Sequence, residues 1–307
     1  MKLIRSHKLT VLLVVFSSIL ARASTARTYV SVNGNDGNTG IGCPVTAPCR
    51  SFGTALGITN PYGEIVAVDS GDYSPVTITQ SVTIKAAPGV DATIFSPWGD
   101  AITISAPGAG NIVVLRGLNV NGLNMGSSGI RFTAGGVLNI ENCTITHFMF
   151  AGISMDGPGA LHVQDTEVQN TMSAIRLQSP AGMIHASIDR VQLKHNNNVG
   201  VFAAENSQTT IRNSVLLDNN FGMQVGDYVG TSELNVEDCM IQGSTNIAIF
   251  AANGGGGGTA IVRVSHSTIV DNSMGLMSFG APLLSYGNNR LAGNGMDGSF
   301  TGLISLQ

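Results

Sequence analysis

Four residues in the middle of the sequence have side chains suited to acid–base work, His147, His195, Asp218 and Asp271, and with Asn170 and Gly243 they form a column of six at a recurring interval, with Lys194 beside His195. An imidazole held against a carboxylate is oriented as a general acid or base. Two carboxylates roughly 6.5–9.5 Å apart can flank a glycosidic bond and hydrolyse it with inversion. Residues this far apart in sequence act together only if the chain returns to the same place on every pass. Stacked at the ~4.8 Å spacing of paired strands, His195 and Asp218 face each other across one step. Asp218 and Asp271 then lie about 9.6 Å apart, with Gly243 leaving room between them for a substrate atom or water. A row of solvated turn residues is the simpler reading of the same column.

The element that brings the chain back is a repeat. Val120, Ile145, Val168, Leu193, Leu216, Ile241, Ile269 and Leu291 occupy one place in a recurring outline, 22 to 28 residues apart. Five and seven positions earlier stand pairs such as Leu115/Val113, Ile140/Leu138 and Val236/Leu234, ending at Tyr286/Leu284. Alternation by two is strand periodicity with an apolar inward face. A second strand follows in each unit, as in Gly129-Ile130-x-Phe132 and Gly222-Met223-x-Val225. Units this short cannot bury an apolar face alone and must stack. Short strands without helical spacing predict an all-β, parallel β-solenoid. Looser coils precede the regular ones at Ile65–Val68, Val76–Lys85 and Ala101–Ile104.

Of the 307 residues only 11% are charged and 39 are glycine, a composition suited to many tight turns. Residues 1–23 read as an export signal: Lys2, Arg5 and Lys8 precede the apolar run Leu9–Leu20, and Ala21-Arg22-Ala23 supplies a small-x-small cleavage pattern. Cleavage removes four of 15 basic residues and no acidic ones, leaving 11 against 19, a net charge of −8. A chain that acidic is a poor partner for nucleic acid, anionic membranes or uronate polymers without a bridging cation. No later run is long enough to span a membrane, and the expected location is outside the cytoplasm. Export also makes a Cys43–Cys49 disulfide plausible across CPVTAPC. Cys143 and Cys239 share a column four coils apart, about 19 Å, too far for a disulfide, and are expected to be buried free thiols.

The expected organisation is an N-terminal cap over 24–62, a solenoid over 63–298 and a tail over 299–307. In the cap, Thr28–Val32 reads as a strand, and SFGTALGI opens at Ser51 as a short helix burying Phe52, Ala55 and Leu56. With RTYVSVNGNDGNTG, APCRSFGTAL and GEIVAVDSGDY ahead of the repeat, the sequence resembles the right-handed parallel β-helix proteins of the pectate-lyase-like superfamily. The resemblance covers residues 27–298 and implies that fold. The superfamily includes polysaccharide lyases, hydrolases, epimerases, adhesins and tailspikes, so fold alone does not choose a function.

The polygalacturonase-like strings of that superfamily are absent. Arg116, Glu141, Gln164, Asp189, Arg212 and Glu237 form a column of mixed charge, read as a structural ladder. Asn196, Asn219, Asn272 and Asn294 resemble the superfamily's asparagine ladders. An outward column carries Arg131, Ser154, Arg176, Phe202, Gln224, Phe250 and Met277, whose rings and guanidinium groups suit glycan stacking or a protein partner. The NGNDGNTG loop lacks a calcium loop's closing glutamate and reads as a turn. The expectation is therefore an exported β-helix binding a polysaccharide or cell-envelope partner through Arg131, Arg176, Phe202 and Phe250, with no cofactor or metal. The alternative is a lyase or glycoside hydrolase using His147, Lys194, His195, Asp218 and Asp271; Ca²⁺ enters only there. A third reading is a structural solenoid assembling through its apolar C-terminal end.

Overall fold

The computed structural model describes residues 25–226 and 229–305. The expected export signal at 1–23 lies outside them. The chain winds as a right-handed parallel β-solenoid of about nine turns. Three sheets run its length: sheet A with 12 strands, sheet B with 10 and sheet C with nine. Each turn visits A, B and C in that order, so residues one turn apart become neighbours in a parallel ladder. The marker column is continuous in sheet B, where Val120, Ile145, Val168, Leu193, Leu216, Ile241, Ile269 and Leu291 pair in register. It extends back through Ile94 to Tyr73, so the looser early coils are full turns with their own sheet B strands. Ile140, Val163, Ile188, Ile211 and Val236 stack inward from sheet A and are buried.

The last turn departs from the expected register by one residue. Val262 and Val264 pair with Leu283 and Ser285, not with Leu284 and Tyr286. The linker to sheet B is rebuilt there: Asn288 and Asn289 side chains accept from the His266 and Ser267 N–H groups. With a side-chain period of two, that slip turns Leu283 inward and leaves Tyr286 partly exposed.

At the N-terminal end the strand starts three residues earlier, and ends two residues earlier, than the expected Thr28–Val32. Strand β1 (Thr25–Val30) extends sheet A, and helix α1 (Phe52–Leu56), capped by Ser51 Oγ accepting from the Thr54 N–H, buries Phe52, Ala55 and Leu56. Cys43 and Cys49 are disulfide-bonded and fully buried, their Cα atoms 5.2 Å apart. A disulfide is compatible with export. No helix of the described residues is long and apolar enough to cross a membrane. The NGNDGNTG segment holds a 3₁₀ turn over Asp36–Ile41, and the Asp36 carboxylate accepts from the N–H groups of Arg50 and Ser51 and from Ser51 Oγ.

Three carboxylates tie this cap down. Burial pushes Asp36 up, but hydrogen bonds from Ser51 and Arg50 outweigh it and hold it below the usual carboxylate range. Burial is likewise outweighed at Asp69 by bonds from Ser31, Tyr73 and Val32. At Glu64 the Lys85 ammonium is the largest influence and, with Arg27, overcomes burial to lower it. Because each folded value lies below its unfolded value, the linked stability is present above the unfolded pKa and is lost as pH falls through the folded one. Acidification below about pH 4 is therefore expected to loosen the cap before the central turns. Hydrogen exchange should show residues 25–69 losing protection first; uniform loss along the chain would contradict this.

Candidate functional site

The sequence column that begins at His147 is a turn column. His147, Asn170, His195, Asp218, Gly243 and Asp271 all follow a sheet B strand with φ between 52° and 72°. That left-handed conformation favours Gly, Asn, Asp and His over other side chains. A second column, between sheets A and B, behaves alike: Gly117, Asn142, Asp165, Arg190, Asn213, Asp238 and His266 also have positive φ. Backbone geometry therefore accounts for most residue types that suggested acid–base chemistry. His195 Nδ1 does approach Asp218 Oδ2, at 3.7 Å, but both side chains are more than half exposed. The space over Gly243 is already filled, because a Cβ there would meet Asp218 Oδ1 at 2.1 Å. Asp218 itself occupies the gap expected for a substrate atom or water. Gln242 Nε2 donates to Asp271 Oδ2 at 2.9 Å, and Lys194 Nζ is paired with Glu167 at 2.7 Å.

Next to this turn lies the asparagine ladder. Asn196 Nδ2 donates to Asn219 Oδ1 at 2.8 Å, and Asn272 Nδ2 to Asn294 Oδ1 at 2.9 Å. Thr171 Oγ1 donates to Asn196 at one end, and Ser244 stands between the two asparagine pairs. Four of these amides replace the water that buried turn groups would otherwise need.

The outward sheet C column is in register from Arg131 through Ser154, Arg176, Phe202, Gln224 and Phe250 to Met277. Its members are engaged with their own protein. Arg131 Nε donates to Asp156 at 2.6 Å, and Nη1 lies 3.5 Å from Asp100. The Arg176 guanidinium sits 5.3 Å from the Phe150 ring and 4.9 Å from Phe202, and bonds Gln178. Phe250 packs 6.2 Å from Phe221. Phe202 and Phe250 are half-buried rather than free-standing.

The outward face of sheet A is different. Three adjoining depressions run along it, the first spanning Asn139 to Arg212, the next His162 to Asn235, and the last Thr210 to Tyr286. His162 and Ser187 belong to the first two, and Thr210 and Asn235 to the last two, so they form one trough. At its centre His162, His185, Ser187, Gln208 and Thr210 point outward from three successive strands. Among the described residues these five side chains have no hydrogen-bond or ion-pair partner. The trough's carboxylates are mostly neutralised: Glu141 by Arg116 at 2.7 Å, Asp189 by Arg212 at 3.3 Å, and Glu233 by Arg263 at 3.3 Å. The sequence shows one column of this face, Arg116 to Glu237, as a charge ladder, but its central residues change type at every level and follow no column rule. No three His, Cys, Asp or Glu side chains of the described residues are grouped to hold a metal.

The two remaining cysteines stand in the A–B turn above and below Thr166, Val191 and Ser214, buried and free. Burial pushes each thiol up to about 11. Thiol reagent should find no reactive cysteine in the native protein at pH 8 and two after unfolding without reduction. Rapid native labelling would contradict their burial, and a Cys143–Cys239 bridge by mass mapping would contradict the four-turn separation.

Residues 128–295 match the family model described as "Right handed beta helix region". No curated protein sequence matches the chain. Among solved structures it is similar to pectate lyase Pel9A, at 16% identity and a TM-score of 0.64, over 93% of this chain and 78% of that one. It is also similar to XylC, described in complex with xylose, at 9% identity and a TM-score of 0.61, over 86% and 70% of the two chains. At such identities the likeness is one of fold.

Proposed function

Because the chain belongs to the right-handed β-helix family, we propose that it works as an exported glycan-binding solenoid, holding a neutral polysaccharide along the sheet A trough. The observation that carries this reading is the group of five outward polar side chains, His162, His185, Ser187, Gln208 and Thr210, that have no partner among the described residues. Sugar hydroxyls both donate and accept, and this set offers both roles at the spacing of the strands. The rise from one turn to the next, ~4.8 Å, is close to the length of one sugar residue, so a linear chain can meet equivalent levels with successive units. Neutral glycans are favoured over uronates because the trough's Arg212 and Arg263 are already paired with carboxylates. Phe202 and Phe250, with Arg131 and Arg176, remain the proposed contact surface of sheet C for a longer glycan or an envelope partner.

Catalysis is not part of the proposal, since Glu141, Asp189 and Glu233 of the trough are held by arginines. A glycan array with and without Ca²⁺ tests it directly: binding to neutral polysaccharides, unchanged by Ca²⁺ and without shortening of the polymer, is the expected result. Ca²⁺-dependent depolymerisation of a uronate polymer would establish the lyase alternative instead.

A further inference from the structure

The corner between sheets B and C carries an apolar ridge that neither the core nor the trough uses. On four successive turns the chain exposes Trp98, then Leu123 and Met125, then Met149 and Phe150, then Met172. Trp98 is 77% exposed and Met149 60%. Main-chain bonds stack these turns on one another: Ser127 N–H donates to Gly99, Met149 to Gly126, Phe150 to Ser127 and Met172 to Phe148. The ridge is therefore rigid, and it stops at the next turn, where exposed Asn197 and Asn198 take over. Leu123 holds a φ of 53°, a conformation that suits Gly or Asn and is costly for a bulky apolar residue. Folding alone gives no reason to place an exposed leucine there.

We propose that this ridge seats the protein on a neutral, zwitterionic lipid surface. Three features select that occupant. The ridge stands on the corner between two sheets and is one or two side chains wide on each turn, a form that enters a lipid interface more readily than it fills a protein pocket. With full areas of roughly 150–250 Å² per large side chain, it exposes on the order of 600 Å², short of the roughly 800 Å² per partner of a stable dimer. Its flank is charge-balanced, Arg131 and Arg176 against Asp100 and Asp156, in a chain whose net charge is negative, so anionic lipid adds no attraction. Trp98 and Phe150 on the ridge, with the Arg176 guanidinium 5.3 Å from the Phe150 ring, match the aromatic and basic residues of a membrane interface. The glycan trough lies on a different sheet, so the two readings stand or fall separately.

Trp98 is the sequence's one tryptophan and reports on the ridge directly. The protein, prepared with and without residues 1–23, is mixed with vesicles of phosphatidylcholine alone or with added phosphatidylglycerol. The expected result is a saturable blue shift of Trp98 emission and quenching by lipid brominated near the headgroup, equal in both preparations and no stronger with phosphatidylglycerol. Met125→Gln with Met149→Gln should weaken vesicle binding at least tenfold while the β-sheet spectrum is unchanged. If that variant misfolds, the quenching of the unaltered protein decides alone. Emission indifferent to vesicles, quenching only when residues 1–23 are present, binding only to anionic vesicles, or a blue shift that follows protein concentration with formation of a dimer would each overturn the proposal.

Discussion

Ile140→Asp and Val236→Asp are each expected to leave the chain unfolded. Both side chains point into the solenoid at 0% and 1% exposure, between apolar neighbours on the turns above and below. An unpaired carboxylate there costs several kcal/mol, a large part of the roughly 5–15 kcal/mol that holds a domain together, and it also removes buried apolar area. One residue away the same chemistry should be harmless. Asn139→Asp and Asn235→Asp place a carboxylate on the outward face, where surface substitutions usually stay within about 0.5 kcal/mol. Circular dichroism and solubility of the four variants separate inward from outward positions. A soluble, β-rich Ile140→Asp protein would refute the register.

The second large effect is expected in the trough. Ser187→Ile combined with Thr210→Ile should weaken oligosaccharide binding about five- to hundredfold, because two hydroxyls worth roughly 0.5–1.5 kcal/mol each are lost and the floor is filled. Isoleucine is well suited to an outward strand position, so the melting temperature should hold. Titration calorimetry checks the first expectation and thermal melts the second. Unchanged affinity with an unchanged fold would remove the glycan from this face. Phe202→Ala with Phe250→Ala then asks whether sheet C holds it instead.

Much of the fold was legible because stacking imposes a visible rule. An inward column must stay apolar on every turn, so Val120 through Leu291 could be aligned by eye. The rule fades where loops vary. Tyr73 and Ile94 belong to the same column, but irregular linkers around them hid the sheet B strands of turns legible only as looser coils. At the last turn a rebuilt linker shifted Leu283 and Ser285 into the places expected for Leu284 and Tyr286.

Chemistry was harder to read for a related reason. His195, Asp218 and Asp271 form a conspicuous column whose residue types the left-handed turn favours, so backbone geometry is enough to produce its regularity. The trough has the opposite character. His162, Ser187 and Thr210 stand one above another without sharing a type, and their lack of partners is visible only once neighbouring strands are placed. Trp98, Met149 and Met172 follow Ile94, Ile145 and Val168 of the marker column by four residues each, so their alignment was legible, but spacing alone does not show that these side chains are exposed.

A linear neutral glycan lying along sheet A would span several turns. Calorimetric titration with a series of neutral oligosaccharides of increasing length tests this placement most directly. From the Asn139 strand to the Tyr286 region the trough crosses six turn-to-turn steps, about 29 Å at ~4.8 Å each. Affinity should therefore climb with each added sugar up to about six units and then level off, with no product of cleavage. Affinity independent of length, or absence of binding by any neutral series, would contradict the account.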